Sequence, residues 1–293
     1  MNIKYIDTGK LYKGLKGAVV NNSTRISRKN GIPYIEFTPF DEFDWVTLHF
    51  STRDGGVSKG IYSSMNFSFD RGDDYENVYK NYELFLDTMN IKPQENIPDK
   101  QVEGYNTAVD YNMAGMGLTR ARNFDNVDGL VTNKPGLCLI TYFADCVPVY
   151  FIDPVNRCIG ASHSGWRGTV ADITHETVQL MNRTYGSKPE DIHAFIGPSI
   201  CQDCYEVDEA VAEKFRSAYS QNEIGMILYH TTGDKYQLNL QAANYFNMIH
   251  AGIKPDNIGI SDICTSCNSD WLFSHRASHG KRGVLCGFMS ICR

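Results

Sequence analysis

The chain lacks a long apolar run and lacks an excess of basic charge. Its densest apolar stretches, residues 137–144 and 147–152, are far shorter than the roughly 20 residues that a transmembrane helix needs. The first 14 residues contain no apolar core of the kind found in signal peptides. The formal net charge of −6 at pH 7 offers no electrostatic footprint for nucleic acid or an anionic membrane. We therefore expect a cytoplasmic protein without nucleic-acid or membrane partners.

Sequence features that would divide the chain are also missing. No Pro-, Gly- or Ser-rich linker, charge block or low-complexity tract interrupts the 293 residues. The apolar content of 42% is ordinary for a globular protein. The nine cysteines are an odd number, in a chain large enough to fold without disulfide staples. Reduced thiols are therefore expected, either as core filler or as reactive or metal-binding groups.

Apolar spacing predicts helices that alternate with short strands. A helical stripe is formed by Val78, Tyr82, Phe85, Leu86 and Met89. Further helices are predicted after residue 168, over residues 207–219 and over residues 240–251. Strands are predicted at residues 18–20 and 34–37, with a polar turn over residues 21–31 between them. Three of the helices end at Gly or Asn followed by Pro three residues later, which indicates helices returning to strands in one α/β domain.

The first candidate site segment is the turn that follows residue 50. It contains Ser51, Arg53, Gly55 and Gly56. A Gly-Gly turn can expose backbone N–H groups, and the planar guanidinium of Arg fits phosphate or carboxylate. The alternative interpretation is a hairpin turn with a surface arginine.

Two further segments bring a cysteine and a histidine next to apolar strands. Cys146 lies between two apolar runs, where a cysteine is usually buried filler. His163 ends an apolar strand and is followed by Trp166 and Arg167 in a Gly-flanked segment that enters a helix. The end of a strand before a helix is where α/β folds place ligand sites, although a single His in this position is usually structural.

An ordered set of motifs extends this interpretation. They are Ser51-x-Arg53-x-Gly55-Gly56, Ala144-Asp145-Cys146-x-Pro148, His163-x-Gly165-Trp166-Arg167, Ile196-Gly197-Pro198-Ser199, Cys204-Tyr205-Glu206-Val207, Cys264-Thr265 and Phe273-Ser274-x-Arg276, with residues 66–73 and 128–132. In this order they resemble the laccase-domain (YfiH-like) family, from about Val46 to the C-terminus. The resemblance implies an α/β fold of α+β layers, with mixed sheets flanked by helices. Residues 46–293 would form the catalytic domain, and residues 1–45 a strand-rich extension of that domain.

The resemblance also implies a zinc site. Its ligands would be Cys146, His163 and the residue at a Gln-x-His motif, which is Glu103 in this chain. Glutamate can ligate zinc through oxygen, so a Glu, Cys and His set with one open position is chemically sound. The harder carboxylate would change the affinity and the metal preference, and copper is an alternative metal.

The activity implied by the resemblance is purine nucleoside chemistry. It comprises phosphorolysis of adenosine, inosine, guanosine or methylthioadenosine, together with deamination of adenosine. Arg53 and the turn at Gly55-Gly56 would hold phosphate, and zinc would activate water for deamination. Trp166 would stack on the base. The expected partners are a nucleoside and phosphate, and the expected state is a monomer or a small homo-oligomer.

Four alternatives remain open. Cys146 and His163 could form a metal-free nucleophile–base pair of a hydrolase or amidase, of the peptidoglycan-precursor editing type. A copper-dependent polyphenol oxidase is disfavoured because the eight histidines contain no His-x-His pair. A zinc ribbon made of Cys201-x-x-Cys204 and Cys264-x-x-Cys267 is disfavoured because the pairs lie about sixty residues apart, against ~15–20 in compact sites. A decayed, non-catalytic site is the fourth alternative.

Overall fold

The computed structural model describes residues 3–91 and 127–292. The described strands are β1 (Thr24–Lys29), β2 (Ile32–Phe37), β3 (Val46–Ser51), β4 (Gly129–Thr132), β5 (Cys138–Phe143), β6 (Val147–Asp153), β7 (Cys158–Ser164), β8 (His193–Ile196), β9 (Glu206–Asp208), β10 (Leu228–His230), β11 (Lys235–Leu238), β12 (Ile258–Ile260) and β13 (Leu285–Ile291). The described helices are α1 (Thr8–Leu11), α2 (Tyr75–Thr88), α3 (Trp166–Val170), α4 (Ile173–Tyr185), α5 (Glu209–Ala218), α6 (Gln221–Ile227) and α7 (Leu240–His250). None of these helices is long and apolar enough to cross a membrane.

Two five-stranded sheets and one three-stranded sheet organise these elements. The first sheet has the order β1-β2-β3-β13-β5, and every neighbouring pair is antiparallel. The second has the order β12-β8-β6-β7-β4, in which β12 and β8 are parallel and the other pairs antiparallel. The small sheet is β10-β11-β9. The predicted α/β fold with mixed sheets and flanking helices is confirmed.

The main core lies between the two large sheets. Tyr150 of β6 is fully buried and packs against Gly287 of β13, where any β-carbon would collide with the tyrosine hydroxyl. Phe37 of β2 lies 4.4 Å from the ring of Phe195 in β8, measured between centroids. Buried aromatic pairs of this kind contribute beyond their apolar area. The glycine therefore permits the close approach of the two sheets.

Helix α2 covers the outer face of the first sheet. Phe85 of this helix and Phe288 of β13 have ring centroids 4.6 Å apart, and Phe67 packs on both. The residues of the predicted stripe are buried here, with Met89 at the C-cap of the helix. The first sheet is therefore buried on both faces, which explains why β2 is almost entirely buried.

Three predicted boundaries were wrong. The polar stretch predicted over residues 21–31 contains β1, an edge strand in which a single residue is buried and which pairs, among the described strands, with β2 alone. Residues 18–20 make a single bridge, from Val19 to Gly259, and no strand. The helix predicted after residue 168 is two helices, because Asp172 adopts φ 56° and caps α4 by accepting from the N–H of His175.

The strands β1 and β2, which lie within residues 1–45, belong to the same sheet as β3, β13 and β5. β2 pairs with β3 at Tyr34–Ser51 and Ile35–Phe50, so residues on both sides of position 45 share one ladder. The boundary between residues 45 and 46 stays a prediction.

A buried histidine in the first sheet lies between an aromatic ring and a hydroxyl group. His49 is 6% exposed and stacks on Tyr34 with 3.9 Å between ring centroids. The hydroxyl of Thr88 donates to the carbonyl of Phe85, so Nδ1–H of His49 donates to the Thr88 oxygen at 3.1 Å. Burial lowers the pKa of His49 to about 4.

We predict that this histidine destabilises the fold as the pH falls. The folded pKa lies below the ordinary value of about 6.5, so the stabilisation is complete above pH ~6.5 and is lost as the pH falls towards about 4. The loss amounts to about 3 kcal/mol at most. His49→Phe keeps the ring stack and removes this proton linkage. Urea unfolding from pH 7.5 to 4 should show a steeper loss in the wild type; equal slopes would contradict the assignment.

Candidate active site

The hairpin of β6 and β7 brings the predicted cysteine and histidine together. Cys146 immediately precedes β6, and His163 lies near the end of β7, opposite Pro148. Because the hairpin is antiparallel, the start of β6 and the end of β7 meet at one edge of the sheet. A β-carbon on Gly165 would lie 3.2 Å from Sγ of Cys146 and 3.9 Å from Nε2 of His163. The glycine therefore leaves room for both reactive atoms.

Asp128 fixes the orientation of the imidazole. Its carboxylate accepts from Nδ1 of His163 at 3.1 Å, and its carbonyl accepts from the backbone N–H of His163 at 2.7 Å. Nε2 is therefore left to face Cys146. Burial by itself lowers the pKa of His163, but hydrogen bonds to Asp128 and Cys146 and their negative charges outweigh it and raise the pKa to about 10. The same hydrogen bond lowers the pKa of Asp128.

Asp145 holds the backbone next to the cysteine. It adopts φ 85°, a left-handed conformation that is uncommon outside glycine. Its buried carboxylate accepts from the hydroxyl of Thr265 and from the backbone N–H of Arg276, both at 2.6 Å. Its carbonyl accepts from the N–H of Ile200 at 3.0 Å. Two loops distant in sequence therefore fix the position of Cys146.

A cavity of about 740 Å³ opens beside this pair. Its lining includes Cys146, His163, Ala144, Tyr142, Phe143, Ser68, Asp70, Arg71, Arg282 and Val284. This volume falls in the range of small-molecule sites. The pair of reactive side chains is therefore accessible to a ligand of moderate size.

Two arginines provide positive charge in the cavity. Arg282 is partly buried and donates through Nη1 to the carbonyl of Gly283 at 3.0 Å, while its buried Nε has no hydrogen-bond partner among the described residues. Burial and the nearby charge of Arg71 lower the pKa of Arg282 to about 10. Arg71 and Arg282 therefore offer cationic groups to an anionic ligand in the cavity, whose lining also includes the carboxylate of Asp70.

The turn at residues 51–56, which was predicted to bind phosphate, lies in a different environment from the cavity. Arg53 donates through Nε to the carbonyl of Ser63 at 2.8 Å and through Nη1 to the carbonyl of Ser269 at 2.9 Å, with its guanidinium 4.9 Å from the ring centroid of Phe273. It is not among the described residues that line the cavity. These contacts favour a role in joining loops, and phosphate binding by Arg53 stays a prediction.

The glycines of that turn are packed against neighbouring chain. The N–H of Gly56 donates to the hydroxyl of Ser64 at 3.1 Å, and a β-carbon at Gly56 would collide with the carbonyl of Ser64. Gly55 has φ 91°. Ser51 is fully buried and accepts from the N–H of Cys286 at 2.9 Å. The turn therefore requires both glycines for conformation and close packing, whatever else it binds.

The aromatic and cationic residues after His163 begin α3. Trp166 is partly buried against the main core. The guanidinium of Arg167 lies 4.3 Å from the centroid of its ring. Base stacking on Trp166 and ligand binding by Arg167 stay predictions.

The described part of the site offers two of the three predicted zinc ligands, Cys146 and His163, and zinc binding here stays a prediction. A thiol and an imidazole nitrogen face each other, and a carboxylate orients the imidazole through its other nitrogen, as is usual for metal-bound histidine. Glu103, the third predicted ligand, lies outside the described residues.

Sequence reasoning did not single out four residues of this site. Asp128 and Asp145 lie within quoted motifs, and Arg71 lies in the motif at residues 66–73, but their roles depend on contacts across the fold. Arg282 carried no signal because an arginine between Lys and Gly resembles any surface loop.

Together the fold and the site define an α/β protein with a Cys-His-Asp centre in a cavity whose lining includes two arginines and one aspartate. The sequence model of the family described as "Multi-copper polyphenol oxidoreductase laccase" matches residues 47–292. The chain belongs to this family.

Relatives and solved structures agree with this membership. The chain is 33% identical to "Purine nucleoside phosphorylase YlmD" of Bacillus subtilis, covering 84% of this chain and 88% of that protein. It is 36% identical to a purine nucleoside phosphorylase of Bacteroides thetaiotaomicron (82% and 90%) and 32% identical to "Adenosine deaminase RL5" of an unknown prokaryotic organism (78% and 87%). The crystal structure of YfiH of Bacillus licheniformis superposes with a TM-score of 0.79 at 31% identity, covering 92% of this chain and 99% of that one.

We predict that Asp145→Asn lowers both stability and the reactivity of Cys146. One amide oxygen cannot replace two carboxylate oxygens, so one bond to Thr265 or Arg276 is lost and the free energy of unfolding falls by about 2 kcal/mol. Alkylation of Cys146, followed by peptide mass mapping, should slow several-fold as the thiol shifts from His163.

Asp153→Asn is the matched control. Asp153 is a buried carboxylate at the opposite end of β6 that accepts from the N–H groups of Val155 and Asn156. This variant should lose stability without slowing the alkylation of Cys146. Equal slowing in both variants would show that Asp145 has no specific role.

Proposed function

We propose that the protein is a purine nucleoside phosphorylase that also deaminates adenosine. The observation that carries this proposal is one cavity in which the Cys146–His163 pair lies beside two arginines. Relatives named for each activity align with more than three quarters of the chain. Adenosine, inosine, guanosine and methylthioadenosine are the proposed nucleosides.

Phosphate binding is the step that the cationic residues support. The nucleophile in phosphorolysis is an anion, and Arg282, a cationic residue, lines the cavity beside Cys146 and His163. Arg71 adds a second positive charge on the rim. Preorganised donors of this kind stabilise developing negative charge most strongly where water is excluded. We assign the phosphate site to Arg282 and Arg71, with Arg53 as the alternative.

Cys146, His163 and Glu103 would hold zinc. When bound, zinc supplies a Lewis acid that makes water nucleophilic near neutral pH. The chain itself would orient this centre, since Asp128 fixes the imidazole and Asp145 fixes the cysteine. Tyr142 and Phe143 line the cavity and offer aromatic surface to a base.

We predict that Arg282→Lys lowers phosphorolysis at least ~10-fold, mainly through a higher KM for phosphate, because lysine keeps the charge but loses the planar set of donors. Deamination, which uses no phosphate, should be nearly unchanged.

Arg53→Lys should instead lower the free energy of unfolding by about 1–2 kcal/mol, because the variant weakens the two contacts of Arg53 with backbone carbonyls. The opposite pattern, with the phosphate KM raised only in Arg53→Lys, would return the phosphate site to Arg53.

A second candidate function follows from the same three residues. Cys146, His163 and Asp128 have the connectivity of a nucleophile, its base and the group that orients the base. Such a centre would act as a metal-independent hydrolase or amidase. A copper-dependent oxidase has no comparable support, because the described site contains a single histidine.

We predict that zinc removal separates these two functions. A chelator that leaves the circular dichroism spectrum unchanged should abolish the conversion of adenosine to inosine, and added Zn²⁺ should restore it. Cys146→Ser should lower the metal content and the activity together. If the metal-free protein stays active and is inactivated by a thiol alkylator, the cysteine hydrolase is correct and the zinc proposal is wrong.

A further inference from the structure

Four cysteines outside the active site form a compact cluster. The Sγ atoms of Cys201, Cys204, Cys264 and Cys267 all lie within 4.8 Å of one another. The distance is 3.4 Å from Cys204 to Cys267 and 3.9 Å from Cys201 to Cys267. Zn–S bonds of about 2.3 Å place the sulfurs of a tetrahedral site about 3.8 Å apart. The cluster therefore has the dimensions of a cage for one ion.

The fold explains why two distant sequence pairs meet. The first pair follows β8 and the second follows β12, and these strands are parallel neighbours. Their carboxyl ends therefore leave the sheet at the same edge. A bridge between Ser199 and Cys264 continues the pairing beyond the strands. The sequence argument against a joint site relied on the separation of about sixty residues between the two cysteine pairs. That argument was wrong, because the parallel pairing of β8 and β12 brings the pairs together.

The surroundings of the cluster favour bound thiolates. The N–H groups of Cys201 and Cys267 donate to Sγ of Cys264 at 3.2 and 3.4 Å. Such donors stabilise negative sulfur in metal sites. Cys201 and Cys264 are buried, and Asp203, the carboxylate between the first two cysteines, is paired with Lys10 at 2.7 Å.

The backbone around the cluster is fixed from outside as well. Asn268 donates through Nδ2 to the carbonyl of Cys264 at 2.8 Å and to that of Lys4 at 3.0 Å. Ile6 donates its N–H to the carbonyl of Asp262 at 2.9 Å. The N-terminal residues therefore pack over the second cysteine loop and help to hold it in place.

We propose that these four cysteines hold a structural zinc ion. Four sulfur ligands in a tetrahedron select zinc or iron, and zinc forms the more stable complex of the divalent ions. Iron–sulfur clusters are larger than this cage, because their bridging sulfides separate the cysteines. A site with four protein ligands is closed, so its role is structural.

The proposed ion would stabilise loops that reach the active site. Thr265, the residue after Cys264, donates to the carboxylate of Asp145. The carbonyl of Ser269, which lies in the same loop as Thr265, accepts a hydrogen bond from Arg53. Zinc at the cysteines would therefore fix the anchor of Cys146 from a distance, without touching substrate.

Metal analysis of the full-length purified protein tests this proposal. Cys204→Ser and Cys267→Ser should each lose one zinc per chain and lower Tm by ~10 °C, because a structural zinc contributes directly to folding. Cys292→Ser is the matched control: it is exposed and outside the cluster, so zinc content and Tm should match the wild type.

Cobalt substitution gives a readout that does not require the cluster variants to fold. Cys146→Ser reconstituted with Co²⁺ should show the intense thiolate-to-cobalt charge-transfer bands of a four-sulfur tetrahedral site. A spectrum without those bands, iron in the isolated protein, or disulfides among the four cysteines would overturn the proposal. Zinc lost from Cys204→Ser but not from Cys146→Ser would instead refute only the active-site zinc.

Discussion

The buried carboxylate of Asp145 is the contact on which the arrangement of the site depends. It holds a residue in a left-handed conformation immediately before β6 and bonds to two points of the C-terminal loop. Burying a carboxylate is unfavourable unless its oxygens are satisfied, so this contact forms only when the sheet and both loops are in place. The position of Cys146 therefore depends on the folding of the whole second sheet and not only on that of its own hairpin.

The direction of strand pairing then determines what else lies at the same edge. Antiparallel β6 and β7 place Cys146 beside His163, whereas parallel β8 and β12 place two Cys-x-x-Cys turns together. The two clusters are joined by the short path from Cys264 through Thr265 to Asp145. One edge of the second sheet thus carries both the Cys146–His163 pair and the four-cysteine cluster. The loop that follows Cys264 contacts Asp145, the residue before Cys146.

Sequence reasoning recovered what depends on local pattern. The stripe at Val78–Met89 predicted α2, and the positive φ angles of Gly186 and Gly252 agree with the predicted helix ends. Family motifs also indicated Cys146 and His163 as site residues, and the hairpin of β6 and β7 brings the two together. Sequence reasoning missed β1, whose exposed edge position removes the apolar alternation that marks a strand. It also rejected the joint cysteine site, because no local pattern reveals that two strands are parallel neighbours.

The arginines show the same limit at the level of chemistry. Arg53 lies in a Gly-rich turn, so its sequence resembles an anion site, yet its donors serve the carbonyls of Ser63 and Ser269. Arg282 lacks any motif, yet it lines the cavity together with Cys146 and His163. Arg53 is held by these carbonyls and does not line the cavity among the described residues, whereas Arg282 does. Which arginine can meet a ligand in the cavity therefore depends on the fold, and the Gly-rich motif alone does not indicate it.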